Sequence, residues 1–127
     1  MRFARYAFIA AGIWGLLLLT PLYFMFDLIG RNDPPPITHP GFFYGFVGVA
    51  LAWQFAFFVI ASDPLRFRPM MVPAILEKLG YGGAAIVLYA QQRLHGQDLV
   101  FGAVDLILAA AFAAAYLGLR PGRRGLR

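Results

Sequence analysis

The sequence predicts an all-α fold: a four-helix transmembrane bundle, antiparallel and up-down, with both termini in the cytoplasm. Three observations predict it. Of the 127 residues, 61% are hydrophobic and only 13% charged, whereas a soluble domain carries roughly 25% charged residues. The apolar residues gather into four continuous runs, 6–26, 42–61, 70–89 and 99–119. Each is close to the ~20 residues with which a helix crosses a ~30 Å hydrocarbon core, and none shows the alternation of a membrane strand. Finally, Arg2, Arg5, Arg66, Arg68, Arg120, Arg123, Arg124 and Arg127 fall on one side of such a bundle, and only Arg31 and Arg93 on the other. By the positive-inside rule the richer side is cytoplasmic.

The first run follows Arg2 and Arg5. It is too long for a signal-peptide core and has no small-x-small cleavage site before Asp27, so it reads as a retained span. Pro21 is expected to kink it near its outer end. The linker DLIGRNDPPPITHPG then forms an outer cap, stiffened by Pro34, Pro35 and Pro36. In the second run Gly41, Gly45, Gly48 and Ala52 recur at helical spacing and suggest a close-packing face. Asp63–Pro64 reads as a turn. Pro69 and Pro73 stand at the start of the third helix, where the first N–H groups lack partners in any case. Gly80 and Ala84 suggest a second small-residue face. The bundle is one domain over 1–119, followed by a basic tail at 120–127 suited to anionic headgroups.

The chain has no Cys, which excludes disulfides, thiolate catalysis and Cys-ligated metal clusters. A net charge of +5 would suggest nucleic acid in a soluble protein. Here the arginines flank apolar runs, so the expected partner is the lipid bilayer and no nucleic acid. There is no phosphate loop, nucleophile elbow or zinc spacing, and no His within a span to hold haem b. No cofactor and no metal are therefore expected. His39 and His95 stand in the outer loops near Asp33 and Asp98, without ligand spacing.

The informative residues are the polar ones inside the spans. An ionised group at mid-bilayer costs at least ~2.5–3.5 kcal/mol, so such residues face protein or water and mark candidate sites. Pro73, Glu77, Gly80, Tyr81, Ala84 and Leu88 share one helical face, expected to point inward. Lys78 is expected to snorkel toward the cytoplasmic surface on its long stem. On the fourth span Asp98, Gly102, Asp105, Ala109, Phe112 and Tyr116 form one stripe. Helix rise places Glu77 and Asp105 about 10 Å apart along the bundle axis, too far for contact but able to line one cavity. Gln54 lies at intermediate depth, and Asp27 closes the outer end of the first span beside Thr20 and Tyr23. The expected site is thus Glu77, Asp105, Gln54 and Tyr81, with Asp27, Lys78 and Asp98 secondary. It fits a site that binds a ligand or carries protons, a network that fixes helix register, or a contact with another subunit.

The stretch HPGFFYGFVGVALAWQFAFFVIASDPLRFRPMMVPAILEKLGYG, His39 to Gly82, resembles small four-span bacterial membrane proteins, and its layout is similar to DoxX-like membrane proteins. The resemblance covers the second and third spans and their loop. It implies a bacterial inner (plasma) membrane bundle and no catalytic residues. Three functions agree with the sequence: binding of a lipophilic molecule such as a quinone, isoprenoid or lipid in a carboxylate-lined cavity; an accessory subunit or homo-oligomer; or proton or small-ion translocation through the same carboxylates. No motif assigns a reaction.

Overall fold

The computed structural model describes residues 2–32, 34–94 and 96–119. Its helices are α1 (Arg2–Leu19), α2 (Phe26–Asn32), α3 (Pro40–Ser62), α4 (Met71–Ala90) and α5 (Gly96–Gly118), with short 3-10 turns at Thr20–Phe24 and Arg68–Met70. With the 3-10 turns included, four segments are long and apolar enough to cross a membrane: Arg2–Phe24, Pro40–Ser62, Arg68–Ala90 and Gly96–Gly118. The protein is an all-α four-helix bundle of multi-pass membrane type. Its basic tail from Arg120 onward, Asp33 and His95 lie outside the described residues.

Local sequence sets the breaks. Pro21 does not kink a continuing α-helix; the chain tightens into the 3-10 turn from Thr20 and re-forms as α2. The expected Pro-stiffened cap therefore contains a short helix, and Asp27 belongs to its first turn, not to the end of the first span. Pro40 starts α3 at a position where its missing N–H costs nothing. Helix α4 ends with Gln92 at φ 60, in the left-handed region, and Arg93 N–H donates back to the Leu88 carbonyl at 2.8 Å, the closing bond of a Schellman-type end.

The helices pack as two pairs, α1 with α3 and α4 with α5, joined chiefly through α1 against α5; α3 and α4 touch only lightly. The half of the bundle next to Arg2 and Ser62, here the terminal half, is densely packed. Phe8 and Phe112 stack with centroids 4.0 Å apart, and Phe57 packs against both, at 5.9 and 5.1 Å. Ala4, Ala11, Ile60, Met71, Ala74 and Ala115 complete this core. Two arginines lock its rim by satisfying carbonyls that helix ends leave open. Arg5 Nε donates to the Ala61 carbonyl at 3.2 Å. Arg68 Nε donates to the Tyr116 carbonyl at 2.9 Å, and its guanidinium lies 3.7 Å from the Tyr116 ring centroid.

The small-residue contacts are not those expected. A side chain added at Gly41, Gly45 or Gly80 would meet nothing within 4 Å, and Ala52 and Ala84 are exposed. Helix α3 instead packs through Val47, Ala50, Gln54 and Phe57. The close crossing is between α4 and α5: a Cβ at Gly102 would sit 2.6 Å from Ala85 Cβ, and one at Gly82 would sit 3.1 Å from the Gly102 carbonyl oxygen. Without Cβ atoms here the two backbones approach closely, the contact that replaces the hydrophobic drive inside a bilayer.

Gly102→Leu is expected to lower stability by about 1–3 kcal/mol, the usual cost of overpacking, whereas Gly83→Leu, which faces open space, leaves it unchanged. Unfolding of each variant in mixed micelles with increasing SDS checks this.

Candidate functional site

The site follows from the Gly82–Gly102 crossing. In antiparallel helices, the residues one turn below that crossing, toward the terminal half, are Lys78 on α4 and Asp105 on α5. Lys78 Nζ stands 3.6 Å from Asp105 Oδ1 and 3.5 Å from Glu77 Oε1. These are ion-pair separations, longer than tight charged hydrogen bonds. The ammonium also lies 5.1 Å from the Phe57 ring centroid, within cation–π range.

This geometry corrects two expectations. Lys78 does not snorkel: it is 4% exposed, among the most buried side chains of the protein. Glu77 and Asp105 are not separated by about 10 Å of cavity, because the intervening ammonium draws both to one point. The expected inward face of α4 is also rotated by about one residue. Met71, Ala74, Lys78, Gly82 and Ala85 are buried, while Glu77 and Tyr81 lie on its shoulder and Gly80 and Ala84 face outward. On α5 the expected stripe holds, with Gly102, Ala109 and Phe112 buried and Asp105 half-buried.

Gln54 completes the polar layer from α3. It is 1% exposed, and its Nε2 donates to the Ala50 carbonyl at 2.7 Å. That bond sets the amide orientation, since a carbonyl accepts only from nitrogen. Gln54 Oε1 is left buried without a hydrogen bond, packed against Gly15, whereas Glu77 Oε1 has the Lys78 ammonium at 3.5 Å. A buried acceptor without a partner costs roughly 1–3 kcal/mol. The Gln54 side chain lies against Gly15 of α1; a Cβ there would stand 2.6 Å from Gln54 Cγ and overlap the amide. Gly15 is thus a site residue that sequence reading missed. The available signal was a glycine at the depth of the polar layer.

Above this layer, toward the loop half, lies a cavity of about 220 Å³. It exists because α3 and α4 barely meet. Gln54, Glu77, Lys78 and Asp105 form its floor, Trp14, Leu18, Leu22, Phe46 and Phe101 its walls, and Tyr81 and Asp98 also border it. The Trp14 and Phe101 rings meet at a centroid distance of 6.5 Å, tilted by 41°, and join α1 to α5 along one wall. Trp14 and Phe46 are 37% and 48% exposed, so the apolar rim runs into the outer surface of the helices. Below the floor the Phe8–Phe57–Phe112 core closes the bundle.

The structure therefore brings Gln54, Glu77, Lys78, Tyr81, Asp98 and Asp105 to one cavity, with Lys78, expected only as a secondary residue, as its central charge. It does not bring Asp27 there: Asp27 is exposed and borders a separate shallow cleft with Gly30, Arg31 and Pro36. His39 is exposed beside Thr38, whose Oγ1 is 3.0 Å from its Nδ1, and no cluster of three His, Asp or Glu capable of holding a metal ion occurs among the described residues. No protein-family model, curated protein or solved structure matches the chain.

Removing the ammonium with Lys78→Met leaves two acids buried without a counter-charge, and stability is expected to fall by about 3–5 kcal/mol. Adding Glu77→Gln and Asp105→Asn to Lys78→Met is expected to recover much of the loss, because the three groups act as one unit. SDS-induced unfolding of the single and triple variants measures this.

Proposed function

We propose that this protein sits in a bacterial inner membrane, with both termini cytoplasmic, and binds a lipophilic small molecule or lipid in the cavity between α3 and α4. The carrying observation is chemical. The cavity has apolar aromatic walls continuous with the outer surface of the helices, and the polar side chains of Gln54, Glu77, Lys78 and Asp105 converge at its floor. Amphiphile sites have this composition: mostly apolar lining with a few convergent polar groups that orient the head. The head would reach the floor while the tail leaves past Trp14 and Phe46 into the bilayer. The closed aromatic core below the floor favours a binding pocket over a path through the membrane. The arginines at the terminal end support the cytoplasmic placement, and the DoxX-like layout of the sequence supports the bacterial one.

Protein extracted with mild detergent is expected to retain an amphiphile enriched over bulk lipid. Ala50→Phe, which projects a ring from a buried position on the cavity wall, is expected to lower that enrichment at least about tenfold. Glu77→Gln, at the floor, is expected to reduce it as well. Mass spectrometry of the extracted lipids, with unfolding as a check on folding, reads both.

The natural chain has no Cys, so topology can be read on single-cysteine variants. Thr38→Cys is expected to react with a membrane-impermeant maleimide on intact spheroplasts, and Ser62→Cys only after they are opened.

A further inference from the structure

We infer that the cavity selects a cation: the head of its ligand is an ammonium group, quaternary or protonated, on a lipophilic body. This rests on the cavity reading above and specifies the chemistry of the occupant.

Charge is spread unevenly over the molecule. The chain has 11 basic and 6 acidic residues. Three of those six acids, Glu77, Asp98 and Asp105, nevertheless line this one cavity, and among the described residues that line it Lys78 is the one base. Its ammonium stands 3.5 Å from Glu77 and 3.6 Å from Asp105. Two carboxyl groups share it, which leaves one formal negative charge at the floor for a proton or a bound cation to balance. Asp98 lies about two turns nearer the loops on α5 and adds to the negative side.

The charges are also presented unequally. The Lys78 side chain is 5% exposed, whereas those of Glu77 and Asp105 are 19% and 14% exposed. The ammonium is turned into the bundle, over the Phe57 ring, and the carboxyl side chains keep the larger open surface. The attraction needs no direct hydrogen bond, because charges between walls of low polarity act over several bond lengths.

The walls favour the same head. Trp14, Phe46, Tyr81 and Phe101 border the cavity, and aromatic faces attract alkylammonium groups, quaternary ones included. An apolar cavity of about 150 Å³ holds a benzene ring, so one of about 220 Å³ takes a head of that scale, such as trimethylammonium. Tyr81 and Trp14 also carry neutral donors, a hydroxyl and an indole N–H. These suit an acceptor head, but they balance no charge, and acids outnumber the base on the lining by three to one.

Two probes with one tail separate the two heads. Decyltrimethylammonium is charged and has no N–H to donate. Decyldimethylphosphine oxide has a similar shape and is a neutral, strong acceptor. Each is titrated by calorimetry into the full natural chain in dodecyl maltoside micelles, whose heads carry no charge, with protein-free micelles as the blank. The net charge of +5 disfavours binding of the cation to the rest of the surface. The cation is expected to bind saturably and about tenfold more tightly than the phosphine oxide. Glu77→Gln leaves one carboxyl group for one ammonium at the floor. It is expected to weaken the cation about tenfold and to change the phosphine oxide by less than about twofold. Ala50→Phe, which fills the cavity, is expected to weaken both. Binding of the phosphine oxide as tightly as the cation, or more tightly, overturns the inference and leaves the cavity reading in place. So does cation binding that a folded Glu77→Gln protein keeps unchanged. Saturable binding of neither probe overturns both. The comparison of the two probes on the natural chain stands even if a variant does not fold.

Discussion

One ammonium holds the centre of this bundle. Lys78 Nζ lies between Glu77 and Asp105 and against the ring of Phe57, so a single charge ties α4 to α5 and rests on α3. In water such a pair is worth little. At membrane depth it matters because each partner alone would be a buried uncompensated charge. The arrangement ranks less as added stability than as a constraint: the helices must keep the register that leaves these three groups together.

The constraint is met by backbone. Gly82 and Gly102 let α4 and α5 approach so closely that a Cβ on either would collide, and Lys78 and Asp105 fall one turn below the crossing. On the other side Gly15 opens space for the Gln54 amide. Small residues thus define where polar side chains fit, and the polar side chains sit at the boundary between two different halves. Toward the termini the bundle is filled with Phe8, Phe57, Phe112 and aliphatic side chains. Toward the loops the α3–α4 gap stays open, and the polar side chains of Gln54, Glu77, Lys78 and Asp105 line its floor.

Much of the architecture was legible from hydropathy, since length and composition are enough to recognise a span. Four runs became four helices, and the α5 stripe through Gly102, Asp105 and Phe112 faced inward as its spacing suggested. The inward face of α4 lies about one residue from the expected one because Glu77 and Lys78 are neighbours in the sequence. Its mean hydropathy of 1.4 is the lowest of the four spans, yet its charged residues are adjacent, and adjacent residues point about 100° apart. Either could have faced the core. The reach of a lysine stem argued for Lys78 leaving; two acids already on the inside decided that it stays. The Gly41–Ala52 face failed for a related reason. Small residues permit close packing without requiring it, and α3 spends its contacts on Phe57 and Gln54.

By itself, the sequence determined that this chain makes four membrane-length helices, that carboxyl groups and a glutamine lie at their mid-depth, and that such groups turn from lipid. Those outcomes follow from transfer free energies, which depend on residue type and position along the chain. Only the tertiary structure decided that Lys78 is the shared counter-ion, that Gly15 belongs to the site, and that Gln54 Oε1 is buried against Gly15 without a hydrogen bond. Those outcomes depend on the rotation of each helix about its own axis and on the backbone crossing at Gly82 and Gly102, and rotation is set by contact between helices, which no single apolar run encodes.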